Sequence, residues 1–160
     1  MHRLFVAVWP PEHVVCDLAA LPRPKAPGVR WTAPERMHIT LRFLGDCDHG
    51  EARAALESVS LAPTGVALGP AVEPLGRGVL MLPAAGVDEL AGSVTDATMF
   101  IGQPPPDHPF VGHVTIARFK RAQPSLDWPQ LDENFTVSEI CLVESTPWGH
   151  YVNVASFPLG

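Results

Sequence analysis

Two stretches decide the fold: RMHITLRFLGD, residues 36–46, and GHVTIARFK, residues 112–120. Each carries His, a β-branched residue, Thr and an aliphatic residue in that order, as His38-Ile39-Thr40-Leu41 and His113-Val114-Thr115-Ile116. β-Branched and aromatic residues favour strands, where alternate side chains share a face. His38 and Thr40 are therefore expected on one face, roughly 6.6 Å apart along the strand, and His113 and Thr115 likewise. Ile39, Leu41 and Phe43 take the opposite, apolar face, as do Val114 and Ile116. Seven His give roughly 0.35 His-x-Thr triplets by chance, so one triplet would carry little weight. Two with matching neighbours point to a distant internal duplication.

Outward from these motifs, helices alternate with groups of short strands. Residues 3–9 (RLFVAVW) read as an opening strand, after which Pro10-Pro11 can start a helix with Val14, Val15, Leu18 and Leu21 at helical spacing. Residues 22–28 are a loop, 29–32 an extended piece, and 37–44 the strand of the first motif. Asp48-His49-Gly50-Glu51 is a capping-box pattern opening a second helix, with Ala52, Ala55, Leu56 and Val59 on one face. Extended runs over 66–68 and 79–82 precede a third helix marked by Val87, Leu90, Val94 and Ile101. Beyond the Pro-rich loop 102–109, the second motif falls on a strand over 110–119. A loop over 121–134 and two strands, 135–144 and 151–157, close the chain. Short, Pro-interrupted strands fit an α+β fold of mainly antiparallel sheet better than a doubly wound parallel one. The repeated order implies one bilobal domain over residues 1–160, with two related lobes of about 80 residues around a central cleft.

The chain has 160 residues, 46% hydrophobic and 18% charged, which suits a globular domain with a real core and excludes disordered and fibrous classes. Apolar runs such as Leu4 to Trp9 are far shorter than the roughly 20 residues needed to cross a bilayer. Met1-His2-Arg3 runs straight into a strand without a leader pattern, so the expectation is a cytoplasmic monomer that does not engage membranes. Cys16, Cys47 and Cys141 are odd in number and widely spaced, and are expected as free thiols. No metal-ligand spacing stands out, and neither metal nor cofactor is expected. The net charge of −6 argues against sequence-independent nucleic-acid binding and leaves room for a small anionic substrate. Of the eleven cations nine are Arg, the better fork for phosphate.

If the two motif strands meet across a cleft, the site holds two imidazoles and two hydroxyls. That set suits opening of a cyclic phosphodiester: a neutral imidazole takes a proton from water while a protonated one supplies the leaving oxygen. The Thr hydroxyls can donate to the non-bridging phosphate oxygens as charge builds. By alternation Arg42 shares the His38 face and is a candidate substrate contact, with Arg36 a weaker one. Strict alternation turns Arg118 away from His113 unless a bulge intervenes. Trp31 and Phe43 could stack a base, although Phe43 shares a face with Ile39 and Leu41 and reads as core. His108 reads as a solvated loop residue, and His150 and Tyr151 as the edge of a strand.

The twin motifs, with RLFVAVWP (3–10), VRWTAPERMHITLRFLGD (29–46), PFVGHVTIARFK (109–120) and LVESTPWGHYVNVASFPL (142–159), resemble the 2H phosphoesterases, and within them the RNA 2′,3′-cyclic phosphodiesterase, or 2′-5′ RNA ligase, family. The resemblance implies a bilobal α+β fold with pseudo-two-fold lobes and hydrolysis of 2′,3′-cyclic phosphates to 2′-phosphomonoesters. It also implies reversible, ATP-independent 2′-5′ joining in some members. On this footing His38 is the acid at the 3′ oxygen, His113 the base on water, Thr40 and Thr115 phosphate clamps, and Arg118 a further phosphate contact. Partners would be RNA ends or small cyclic-phosphate nucleotides. Gly112 stands where the family carries Pro, which is expected to loosen the start of that strand. Two other readings remain: an RNA-end binding module without catalysis, and a 2H phosphoesterase for a non-RNA cyclic phosphate.

Overall fold

The computed structural model describes residues 2–121, 123 and 130–160. Of the loop expected over 121–134, residues 122 and 124–129 lie outside the described residues. In order the elements are β1 (His2–Val8), α1 (Glu12–Ala19), β2 (Val29–Trp31), a 3-10 turn (Pro34–Arg36), β3 (Ile39–Cys47), α2 (His49–Leu56), β4 (Thr64–Leu68), β5 (Glu73–Pro74) and β6 (Val79–Ala85). Then come α3 (Asp88–Ala97), β7 (His113–Phe119), β8 (Glu133–Val137), β9 (Glu139–Ser145) and β10 (Tyr151–Pro158). The Asp48 carboxylate caps α2, accepting from the Glu51 amide at 3.1 Å, as the capping-box pattern requires. No helix of the described residues is long and apolar enough to cross a membrane.

The strands pair antiparallel in the order β10-β9-β1-β3-β7-β6-β4-β8, with β2 added on β7 and β5 on β6. This is the expected α+β fold, with β1-α1-β3 echoed by β6-α3-β7. Its lobes, however, are not successive halves of the chain. One combines β1 and β3 with the C-terminal β9 and β10, and the other holds β4, β6, β7 and β8. The stretch 135–144, expected as one strand, is accordingly two: β8 ends at Val137, and after Ser138 β9 pairs in the other lobe. One long strand could not serve two sheet edges.

Helical spacing places Val14 and Leu18 of α1, Ala52 and Leu56 of α2, and Leu90, Ala91 and Val94 of α3 in the main core. There they meet Leu4, Val6 and Val8 of β1, Ile39 of β3, and Val114 and Ile116 of β7. Each such Val, Leu or Ile side chain fully withdrawn from water stabilises by about 1.5–3 kcal/mol. The other face of β1 belongs to a second cluster, in which Phe5 and Ala7 pack with Cys141 and Val143, and Trp9, Phe43 and Tyr151 lie against them. The three cysteines are free thiols, Cys16 exposed and the others buried.

Candidate functional site

The two motif strands touch at the junction of the lobes, where Ile39 pairs with Val114 in antiparallel register. Each paired residue directly follows its histidine, so the motifs run past each other head to tail. His38, Thr40, His113 and Thr115 all line one cleft of about 470 Å³ at this junction.

A local irregularity recurs in both strands. Across β1 and β3, Ala7 faces Thr40 and Val6 faces Arg42, so Leu41 is an extra residue; across β6 and β7, Met81 faces Thr115 and Leu80 faces Ala117, so Ile116 is extra. Each bulge falls three residues after its histidine and reverses the alternation beyond it. Leu41 and Arg42 are both buried, as are Ile116 and Ala117, and the next residues, Phe43 and Arg118, line the cleft. Arg118 is thus brought beside the motif histidines, which strict alternation denied. Phe43, expected as core, forms part of the cleft wall.

Arg42 is the corresponding correction. Alternation puts it on the His38 face as a substrate contact, but the bulge turns it into the interior, where it is 4% exposed. Its guanidinium donates to the Phe43 carbonyl at 3.0 Å, the Gln103 carbonyl at 2.9 Å, the Thr98 hydroxyl and carbonyl at 3.3 Å and the Ile101 carbonyl at 3.4 Å. It ties the chain after α3 to β3 and has no place in the cleft.

The histidines are held alike. His38 Nδ1 donates to the Arg36 carbonyl and His113 Nδ1 to the Val111 carbonyl, both at 2.7 Å. A carbonyl only accepts, so the neutral rings carry hydrogen on Nδ1 and leave Nε2 as the base. The Thr40 hydroxyl lies 3.0 Å from His38 Nε2 and donates to it in that state. Their surroundings differ. Phe5, Trp9 and Tyr151 surround His38 with ring centroids at 5.0, 5.4 and 5.4 Å, and Trp9 is anchored by donating to Asn153 Oδ1 at 2.9 Å. Burial in this aromatic box lowers the His38 pKa below 6.5; the Arg36 carbonyl opposes the shift, and His113, Arg36 and Arg118 add to it.

Gly112 also differs from expectation. A side chain there would collide with the Ala84 carbonyl and come within 2.7 Å of Val87 Cγ2, while the Gly112 carbonyl accepts from the Ala84 amide at 2.9 Å. The start of β7 is closely packed against the neighbouring backbone rather than loosened.

Four guanidinium residues, Arg3, Arg30, Arg36 and Arg118, line the cleft, and no carboxylate residue does so among the described residues. Arg36 lies 4.3 Å from the centre of the Tyr151 ring and Arg3 5.2 Å from that of Phe43, within cation–π range. Trp31 and Ser145 complete a mixed aromatic and polar wall. Period two in RLFVAVW does put Arg3, Phe5, Ala7 and Trp9 on one face. Both faces of that strand are apolar, however, so sequence could not say which one met the cleft. Tyr151, expected at a strand edge, is likewise a cleft residue, whereas His108 and His150 are exposed away from it, as expected for His108.

Fold and paired motifs define a two-histidine, or 2H, phosphoesterase architecture. A sequence profile described as LigT like Phosphoesterase matches residues 9–68. An RNA 2′,3′-cyclic phosphodiesterase of Geobacillus stearothermophilus is 32% identical over 151 residues, 81% of this chain and 47% of that protein. The chain thus spans about half the length of that relative. The crystal structure of TT0787 of Thermus thermophilus superposes with a TM-score of 0.78 at 28% identity, covering 98% of this chain and 97% of that one. LigT of E. coli, crystallised with 3′-AMP, gives a TM-score of 0.81 with 99% and 98% coverage; at 23% identity this is a likeness of fold. The chain is thus similar to LigT-like phosphoesterases in sequence over residues 9–68 and shares the fold of LigT over 99% of its length.

Proposed function

We propose that this protein opens 2′,3′-cyclic phosphates at RNA ends or on small nucleotides to 2′-phosphomonoesters, by two-histidine acid–base catalysis that requires no metal. The observation that carries the reading is the head-to-tail meeting of the two His-x-Thr motifs in one arginine-lined cleft. The 32% identical relative is named an RNA 2′,3′-cyclic phosphodiesterase, which supports the substrate class.

In-line displacement at phosphorus puts the incoming water opposite the leaving oxygen, so two groups on opposite strands are needed. His113 Nε2 takes the proton of water as its oxygen bonds to phosphorus. The bond from phosphorus to the 3′ oxygen breaks, and His38, protonated on Nε2, gives that oxygen its proton. The 2′ ester remains. Thr40, Thr115 and Arg118 bind the non-bridging oxygens, whose charge grows in the transition state. Trp31, Phe43 and Tyr151 offer faces for a base. With a ribose 5′-hydroxyl replacing water, the same proton transfers join two ends through a 2′-5′ bond without ATP.

The decisive assay is turnover of a 2′,3′-cyclic nucleotide in excess EDTA, with the product read by phosphorus NMR. Formation of the 2′-phosphate is expected. Binding without turnover would reject the enzyme reading, a 3′-phosphate the assigned orientation, and loss of activity restored by one divalent ion the metal independence. Turnover confined to cyclic phosphates outside RNA would reject the substrate class.

A further inference from the structure

Away from the cleft, three residues far apart in sequence converge on one point: His2 at the start of β1, His49 in the first turn of α2, and Glu144 near the end of β9. One ligand atom from each lies within 4.8 Å of the other two. His49 Nε2 is 2.9 Å from Glu144 Oε1 and His2 Nδ1 is 3.4 Å from Glu144 Oε2, with the imidazole centroids 4.0 Å apart. No sequence spacing announced them.

We propose that His2, His49 and Glu144 form a binding site for a divalent ion of the zinc class that clamps the fold. Two imidazoles and a carboxylate are a zinc donor set, with water completing the shell. Ligands about 2.0–2.2 Å from zinc stand about 3.4 Å from one another in a tetrahedron. The His2 pair stands at that spacing and the His49 pair somewhat inside it, and His2 is exposed, so its ring can turn toward a common centre. Zinc on His49 Nε2 takes the place of the hydrogen that this nitrogen donates to Glu144, and the neutral ring then carries its hydrogen on Nδ1 instead.

The position assigns the ion a structural role. His2 and Glu144 alternate along their strands with Arg3 and Ser145, which line the cleft, so the ion sits across the sheet from the chemistry. It joins the first strand, the helix after β3 and the C-terminal strand pair, segments whose separation in the unfolded chain makes a cross-link effective.

The test is zinc titration of the untagged full chain by calorimetry, with thermal unfolding alongside. One zinc per chain is expected, with a rise in Tm of roughly 5–10 °C when zinc stands about a hundredfold above its Kd. His2→Ala, on an exposed residue, and Glu144→Gln, which keeps shape and hydrogen bonding, should each weaken binding roughly tenfold or more and abolish the Tm gain. Cobalt in place of zinc should give visible bands that both variants lose. Absence of saturable binding overturns the proposal, as does binding that survives both variants. Binding lost instead on His38→Ala or His113→Ala overturns it too, by assigning the ion to the cleft. EDTA should lower Tm while leaving cyclic phosphate turnover at 25 °C intact, so this site and the proposed reaction fail separately.

Discussion

His38 and His113 have the same backbone anchor, yet only His38 is enclosed by Phe5, Trp9 and Tyr151. With its pKa lowered, first by burial, His38 is neutral in the free protein near pH 7. In the proposed mechanism an anionic phosphate beside Arg36 and Arg118 would offset the positive field that helps depress it, so substrate itself would favour the protonated form. The sign follows. In kcat/KM, which reports the free enzyme, activity should fall with rising pH from a point below 6.5, and in kcat that limb should move to higher pH. Coincident limbs in both profiles would remove His38 from the acid's role. The same depression means that the unfolded chain binds the extra proton just below pH 6.5, so stability contributed there is lost as pH falls through that window. Replacing either histidine by Ala should slow turnover on the order of 10² to 10⁴, and the double change should cost less than the product of the two. Thr40→Val and Thr115→Val each remove one donor from the phosphate with little change of shape, and roughly 100-fold slower turnover is expected from each in single-turnover measurements. Unchanged rates would return both hydroxyls to a structural role.

The bulges at Leu41 and Ile116 decide what each strand presents beyond its motif. They separate two arginines that look alike in sequence, one after each motif. Arg42→Met leaves the Thr98, Ile101 and Gln103 carbonyls without their shared donor, and should cost about 3 kcal/mol in urea unfolding with KM little changed. Arg118→Ala should do the reverse, leaving stability within about 0.5 kcal/mol while lowering kcat/KM by roughly tenfold or more. An exchange of these outcomes would mean that the bulges do not set which side chain meets the substrate.

Net charge and local charge have opposite signs in this molecule. A chain of net charge −6 opens a cleft lined by Arg3, Arg30, Arg36 and Arg118. The walls focus that field on an entering anion, and salt weakens it as the screening length falls from about 8 Å at 0.15 M to 3 Å at 1 M. The kcat/KM for an oligonucleotide ending in a cyclic phosphate should therefore fall roughly tenfold over that range, with kcat much less affected. A rate insensitive to salt would show that the four arginines do not steer the substrate. The lobes that create the cleft depend on both chain ends, since β1 pairs with β9 and β10 completes that side of the sheet.

What the sequence determined by itself was local. The repeated His-x-Thr pattern, the capped start of α2 and the helical spacing of Val14, Leu90 and their neighbours were legible because propensity, capping and periodicity act within a few residues. The α+β class followed from their order. Alternation failed at Arg42, Phe43 and Arg118 because one extra residue in a strand inverts every side chain after it, and the partner strand that exposes such a residue is distant in sequence. The interleaved lobes, the aromatic box around His38 and the convergence of His2, His49 and Glu144 were decided only by tertiary structure. Each depends on strand pairings between remote segments, which are set by burial of the whole core rather than by any stretch of chain alone.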